Sequence, residues 1–294
     1  YLIYDQGVNA MRFGTDATER MRLDSSGRLL VSTTSSTSNI AGYGNGGIQL
    51  NSTTTAQACV NIIHRNNSNN THAIVLAKAR DGAANGGRVQ NDDDFGAISF
   101  QGFDGTGGTN YRQGAEIRGA VDGTPGNNDM PGRLEFLTNS GSSLTERLRI
   151  NSLGTFDFTN GALIEEVQVT SGKLSANQNI NLDNGMVYLF TTQETTTSTP
   201  NIRINSSNTL DAAMSNGKVI SLTIMTTAAA AGYFTTVTID GNANGQNSYT
   251  LNVDWLGGSA PSEGGSSGID VYNITIIKQS SKNFNILIAK NNYA

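Results

Sequence analysis

The sequence predicts an all-β protein, and three observations lead there. A hairpin-sized stretch occurs twice, short runs alternate apolar with polar residues, and turn-forming residues fill the gaps between runs. Glycine supplies 34 of 294 residues and charged residues 15%, where an ordinary globular chain has about 7% and about 25%.

The repeated stretch is Thr18–Val31, TERMRLDSSGRLLV, and Thr145–Phe158, TERLRINSLGTFDF. Thr18/Thr145, Glu19/Glu146, Arg20/Arg147, Arg22/Arg149, Ser25/Ser152 and Gly27/Gly154 coincide. The lead-ins Arg12-Phe13-Gly14-Thr15 and Glu135-Phe136-Leu137-Thr138 match as well. Each copy reads as strand, turn, strand: Leu148 and Ile150 alternate with arginines, Asn151–Gly154 turns, and Phe156 and Phe158 alternate on the return. Isolated hairpins of this size are not stable in water, so they need partners. Glu19/Arg20 and Glu146/Arg147 are read as charges that fix strand register between chains.

In chain order, Tyr1–Tyr4 and Met11–Phe13 form a first hairpin, which reads as the continuation of upstream sequence. Cys59–His64, His72–Ala79, Phe95–Phe103, Arg112–Val121 and Arg133–Thr138 are strand-like. Downstream come eight longer runs: Leu163–Thr170, Met186–Thr192, Asn201–Asn205, Lys218–Thr226, Phe234–Asp240, Tyr249–Trp255, Ile269–Lys278 and Phe284–Ala289. Eight strands at this spacing suggest a β-sandwich or jelly roll. A change of apolar phase between Val271 and Tyr272 predicts a bulge. One short helix is expected at Asn208–Ser215, capped by Asn208 or Thr209 and closed by Gly217.

Net charge is −5 and no basic stripe occurs, which argues against nucleic-acid binding. No apolar run approaches the ~20 residues of a membrane span. Cys59 is the single cysteine, so no disulfide forms within the chain, and it reads as a small buried hydrophobe.

The pattern of Phe-x-Thr followed by Thr-Glu-Arg-x-Arg-x-x-Ser-x-Gly resembles a unit common in tail-fibre and related structural proteins of tailed bacteriophages. Phe95–Phe100, Gly114–Arg118 and Met130–Phe136 look like the same proteins. Gly217–Leu222, Trp255–Gly258 and Ser267–Tyr272 are similar to a terminal domain of many cyanophage and marine-phage structural proteins. The resemblance implies an intertwined trimeric β fibre shaft with repeated hairpins, followed by a C-terminal β-sandwich or jelly-roll-like domain. It divides the chain into N-terminal shaft hairpins with the first repeat copy (1–33), a middle β fibre region ending in the second copy (34–160) and a C-terminal globular domain (161–294). It implies a homotrimer in the virion, joined to other tail proteins, that attaches to a host surface glycan or outer-membrane component. Two other readings stay open: an architectural appendage such as a head fibre or collar component, and a glycan-degrading tailspike.

Candidate chemistry is sparse. His64 and His72 are the only histidines and lack the spacing of a metal pair. Asp92-Asp93-Asp94 has oxygens for calcium but not the spacing of a calcium loop, and reads as a solvated turn. Glu165, Glu166, Asp254 and Asp270 are carboxylates that sequence does not pair, so no glycosidase site is assigned. Neither catalysis nor a cofactor is expected. Trp255 alternates with Val253 and Leu251, as a core anchor does, while Tyr233, Tyr249 and Tyr272 are possible stacking surfaces. The long loop Leu256–Gly268 is the recognition candidate, through Ser259, Ser262, Glu263, Ser266 and Ser267. Arg65–Thr71 and Asp81–Asp94 are the next loops in line.

Overall fold

A computed structural model of the chain describes residues 1–37, 43, 46–53, 59–63, 65, 67, 69, 73–80, 87–105 and 111–294. The fold is all-β, with one short α-helix among the described residues. Two compact units form, Tyr1–Leu163 and Ile164–Ala294.

The N-terminal unit holds two five-stranded sheets. The first runs in sequence order through β1 (Leu2–Asp5), β2 (Ala10–Thr15), β3 (Thr18–Leu23), β4 (Leu29–Val31) and β5 (Ile48–Leu50). All its pairs are antiparallel except β4 with β5. The second is an antiparallel meander of β6 (Asp94–Phe103), β7 (Tyr111–Val121), β8 (Gly132–Asn139), β9 (Leu144–Ile150) and β10 (Phe156–Asp157).

The two repeat copies are the same object. Phe13 pairs with Met21 as Phe136 pairs with Leu148, and the register slips at the next residue in both. Leu23 faces Leu29 as Ile150 faces Phe156. The turns agree bond for bond: Gly27 and Gly154 donate their N–H to the carbonyls of Asp24 and Asn151, both at 2.9 Å. Both glycines sit at positive φ, +76° and +81°, where a side chain is strained. The Asp24 carboxylate and the Asn151 carbonyl oxygen each accept two N–H groups of their own turn. Within the chain, arginines of the repeat itself pair with the repeated acids. Glu19 takes Arg22 and Glu146 takes Arg149, while Arg20 and Arg147 donate to Thr15 and Thr138. The reason is the register slip: Arg20 and Arg147 are extra residues in their strands, which brings the acid and the arginine three positions on to the same side.

Two expected strands do not form. The described parts of Cys59–His64 and His72–Ala79 carry no strand, and Cys59 is exposed, not buried. Apolar side chains remain in the open there, with Val60, Ile63, Ile74 and Val75 all more than 70% exposed. The second segment touches β6 through Leu76 beside Gly96 and bonds Asp93 through Lys78 and Arg80, without joining a sheet.

In the C-terminal unit a six-stranded sheet and a three-stranded sheet share one core. The large sheet contains β11 (Val167–Thr170), β13 (Val187–Phe190), β15 (Val219–Thr227), β17 (Thr250–Trp255), β18 (Ile269–Ser280) and β19 (Asn283–Tyr293). The small one contains β12 (Asn179–Asn181), β14 (Asn201–Arg203) and β16 (Thr238–Ile239). From β11 to β16 the chain alternates between the sheets, and each strand lies parallel to its predecessor in the same sheet. The result is three stacked turns of a flattened coil. A jelly roll, by contrast, is antiparallel throughout. Antiparallel β18 and β19 close the large sheet, with β17 parallel to β19 at its edge.

Stacking puts like beside like. Ile180, Ile202 and Ile239 occupy one register position in the small sheet and are fully buried. Tyr188, Phe190, Ile224, Tyr272, Ile274 and Phe284 meet them from the large sheet. On the outer side, Asn201 donates to the Asn179 side chain at 2.8 Å, and Arg203 to that of Asn181 at 2.8 Å. The helix α1 (Leu210–Ala213) is capped by Thr209, whose hydroxyl accepts from the Ala212 N–H, and it buries Leu210. The predicted bulge at Val271 is not there. Strand β18 alternates strictly, with Asp270, Tyr272, Ile274, Ile276 and Lys278 inward. Two ion-paired residues, Asp270 and Lys278, occupy core positions and disguise the phase. Truncating the middle of the isoleucine stack, Ile202→Ala, is expected to destabilise this unit by about 2–5 kcal/mol through lost contact and a residual cavity. Chemical denaturation followed by circular dichroism would measure it.

Candidate recognition surfaces

Three surfaces stand out, and residue patterning creates the first two. The first is the loop after β17. Ser259, Ser262, Glu263, Ser266 and Ser267 all lie on it and are all exposed. Its base is tied down. Gly264 donates to the Ala230 carbonyl at 2.9 Å, and the Gly268 carbonyl accepts from Ala228 at 2.9 Å. A Cβ on Gly264 would collide with the Ala229 carbonyl, so the close approach requires glycine. Asp270, with no exposed surface, accepts from Gly265 N–H at 2.8 Å and from the Asn292 amide at 3.1 Å, and pairs with Lys290 at 3.1 Å. Asn292 also donates to the Ser267 carbonyl at 3.0 Å. A polar loop held by a buried carboxylate is preorganised, which lowers the entropic cost of binding.

The aromatic side chains near this loop serve the core. Tyr249 and Tyr272 are buried, and burial pushes both hydroxyls to higher pKa. Trp255 packs against Phe234 and Tyr272 with its indole N–H on the Thr235 carbonyl at 3.0 Å, as a core anchor would. Glu165, Glu166 and Asp254 are exposed, and Asp270 is committed to Lys290.

The second surface is apolar and belongs to the N-terminal unit. In the first sheet, Leu2, Phe13, Met21, Val31 and Leu50 form one row across the strands, and Tyr4, Met11, Leu23, Leu29 and Ile48 form the next. In the second sheet Ile98, Ile117, Phe136 and Leu148 form a row beside Leu134, Ile150 and Phe156. These faces are open: Leu2 is 60% exposed, Ile48 69%, Ile98 54% and Phe156 63%. The opposite faces carry the charge. Arg118, Glu135, Arg149 and Asp157 stand directly opposite one another across β7 to β10. Glu116 and Glu135 are buried, with Arg118 on Glu116 at 2.5 Å and Arg133 on Glu135 at 2.5 Å. Both sheets thus bury an ion-paired face and leave an apolar one in solvent, the reverse of the usual antiparallel sheet.

The acidic run is a turn leading into β6, with Asp92 and Asp94 exposed, and it also feeds this charged network. Asp93 is buried and held by Arg80 at 2.6 Å and Lys78 at 3.1 Å; Asp92 pairs with Arg133, and Asp94 with Arg118. Each aspartate faces a cation from the chain, which removes the calcium reading. Among the described residues no cluster of histidine, cysteine or acid suits a metal, and His64 and His72 lie outside those residues. Arg80, the Gln90 N–H and Lys78 hold the Asp93 carboxyl far below its ordinary range. Arg22 and Arg149 lower Glu19 and Glu146 likewise. A depressed folded-state pKa adds stability that is present above the unfolded value, about 4, and is lost as pH falls through the folded one. The N-terminal unit is therefore expected to hold its denaturation midpoint down to about pH 5 and lose it progressively below about 4. Asp93→Asn should start lower at neutral pH and fall less steeply in acid.

The third surface is a cavity of about 580 Å³ in the N-terminal unit, between β5 and β6. Its polar wall comes from Thr37, Tyr43, Gln49, Asn51, Ser99 and Tyr111, and its apolar part from Ile48, Leu50 and Ala97. No local sequence pattern marks it, because its residues come from distant stretches that share no motif.

No family model matches the chain, and no curated protein matches it. Among solved structures it is similar to the carboxy-terminal domain of the bacteriophage T5 L-shaped tail fibre, at 11% identity and a TM-score of 0.27, over 76% of this chain and 85% of that one. No described helix is long and apolar enough to cross a membrane.

Proposed function

We propose that this chain is a structural segment of a bacteriophage fibre that self-associates through its N-terminal unit and presents its C-terminal unit to the host surface. The observation that carries the reading is the inverted polarity of the N-terminal sheets. Their charged faces are satisfied within the chain, and their apolar faces are left open in register. A second copy offers the same kind of face, so like faces cover one another without new chemistry. The repeated hairpin supplies such a face twice along the chain, as an extended assembly requires. The count of three, parallel and in register, follows from the resemblance to tail fibres.

Attachment belongs to the C-terminal unit in this proposal, through the loop bearing Ser259, Ser262, Glu263, Ser266 and Ser267. Its partner is a host glycan or outer-membrane component. Three weak sites per fibre gain strength from effective concentration, with no single strong contact. The test is competition. Purified chain should run as a trimer by light scattering and should block adsorption of virions to host cells. A stable monomer at micromolar concentration would remove the fibre reading. A trimer that does not compete would leave a purely architectural appendage, and release of sugar from host polysaccharide would make the protein a tailspike enzyme.

A further inference from the structure

We propose that the cavity between β5 and β6 is a binding site for an uncharged saccharide. It is separate from the loop on the C-terminal unit, and it rests on the attachment reading only for the origin of that sugar. Its volume, about 580 Å³, falls within the range of roughly 300–1,000 Å³ usual for small-ligand sites.

The lining sets the ligand class. Thr37 and Ser99 bring hydroxyls, Gln49 and Asn51 bring amides, and Tyr43 and Tyr111 bring flat aromatic surface. Hydroxyls and amides each donate and accept, which suits a ligand whose own groups are hydroxyls. Aromatic faces suit the C–H side of a sugar ring. A charged ligand finds no counterpart among the described residues, where no lysine, arginine, aspartate or glutamate contributes to the lining. Glu116, which lies behind the Tyr43 ring's hydroxyl, is already committed. It accepts the Tyr43 hydroxyl at 2.5 Å and the Gln113 amide at 3.2 Å, and it pairs with Arg118 at 2.5 Å.

The walls are also held in place before any ligand arrives. The Gln49 carbonyl oxygen accepts the Thr37 N–H at 2.8 Å, and its amide donates back to the Thr37 carbonyl at 3.2 Å. Asn51 donates to the Thr37 hydroxyl at 3.3 Å. The Tyr43 bond to Glu116 joins residues 73 positions apart and pins that ring to the second sheet. A fixed wall, with hydrogen-bonding capacity left on Asn51 and the Ser99 hydroxyl held in place by the Gln101 amide at 3.1 Å, meets the entropic requirement of a weak sugar site.

The experiment titrates the full-length chain with glucose, galactose and N-acetylglucosamine, and with glucuronate as the charged control, by saturation-transfer NMR and calorimetry. Saturable binding of at least one neutral sugar is expected, with glucuronate weaker. Asn51→Ala and Ser99→Ala should each weaken it by about tenfold, the effect of one lost hydrogen bond. The double substitution Ser262→Ala/Glu263→Ala, on the loop of the C-terminal unit, should leave it unchanged. Circular dichroism confirms that each variant folds, and Tyr43→Phe, which keeps the ring and removes only its hydroxyl, gives a second, milder probe. No saturable binding at tens of millimolar overturns the proposal, as does binding that ignores both cavity variants or prefers glucuronate. The two readings fail separately. A chain that binds no sugar yet blocks virion adsorption keeps the attachment reading, and one that binds sugar without blocking adsorption keeps only this site.

Discussion

The double variant Ile98→Asp/Phe100→Asp is expected to remain monomeric where the unaltered chain assembles. Both side chains are 54% exposed on the open face of the second sheet. In a free chain, changes at exposed positions usually shift stability by no more than about 0.5 kcal/mol. Covered by another copy, each new carboxylate would be desolvated without a partner, at several kcal/mol apiece. The cost recurs on every copy, so assembly should be lost while the far-ultraviolet spectrum is kept. Light scattering beside circular dichroism decides it. Unchanged assembly would mean that copies meet elsewhere.

The second large effect is expected from Asp270→Ala. The substitution strands Lys290, whose side chain is 16% exposed, and removes the acceptor of the Gly265 N–H and the Asn292 amide. Breaking a buried pair in this way costs about 3–5 kcal/mol. For a unit of this size the melting temperature should drop on the order of 10 °C. The loop bearing Ser262 and Glu263 should also become a site of early proteolysis, because its base loses three contacts. A melting curve that matches the unaltered chain would show that the pair adds nothing to stability.

Much of the fold was legible because period-two alternation and turn chemistry are local. The repeat located β3, β4, β9 and β10, and Thr209 announced α1 as its cap. What local pattern does not encode is the partner of each strand. Val187 and Leu189 read the same whether their neighbours run parallel or antiparallel, so the coil of β11 to β16 was not visible as a coil. Buried charge misled in a different way. Asp270 and Lys278 sit on the inward face because each has a partner of opposite sign, Lys290 and Asp211, and those partners are remote in sequence. Cys59 and its apolar neighbours suggested a strand, and the described residues there form none. The cavity was hidden for the most elementary reason: Asn51 and Ser99 become adjacent only after folding.

The winding of the C-terminal unit bears on how such a protein changes length over evolutionary time. Val167 pairs with Val187, twenty positions on, whereas Val187 pairs with Thr223, thirty-six positions on. The second circuit is longer because it carries α1 and its flanking turns, and the strands still meet in register. Duplication of one circuit would therefore add a rung of about 4.8 Å along the stack and repeat contacts that already exist. Material inserted between strands can join the core already present, as α1 and its C-cap do through Leu210 and Met214. Length and decoration can vary independently here, and neither requires a new core.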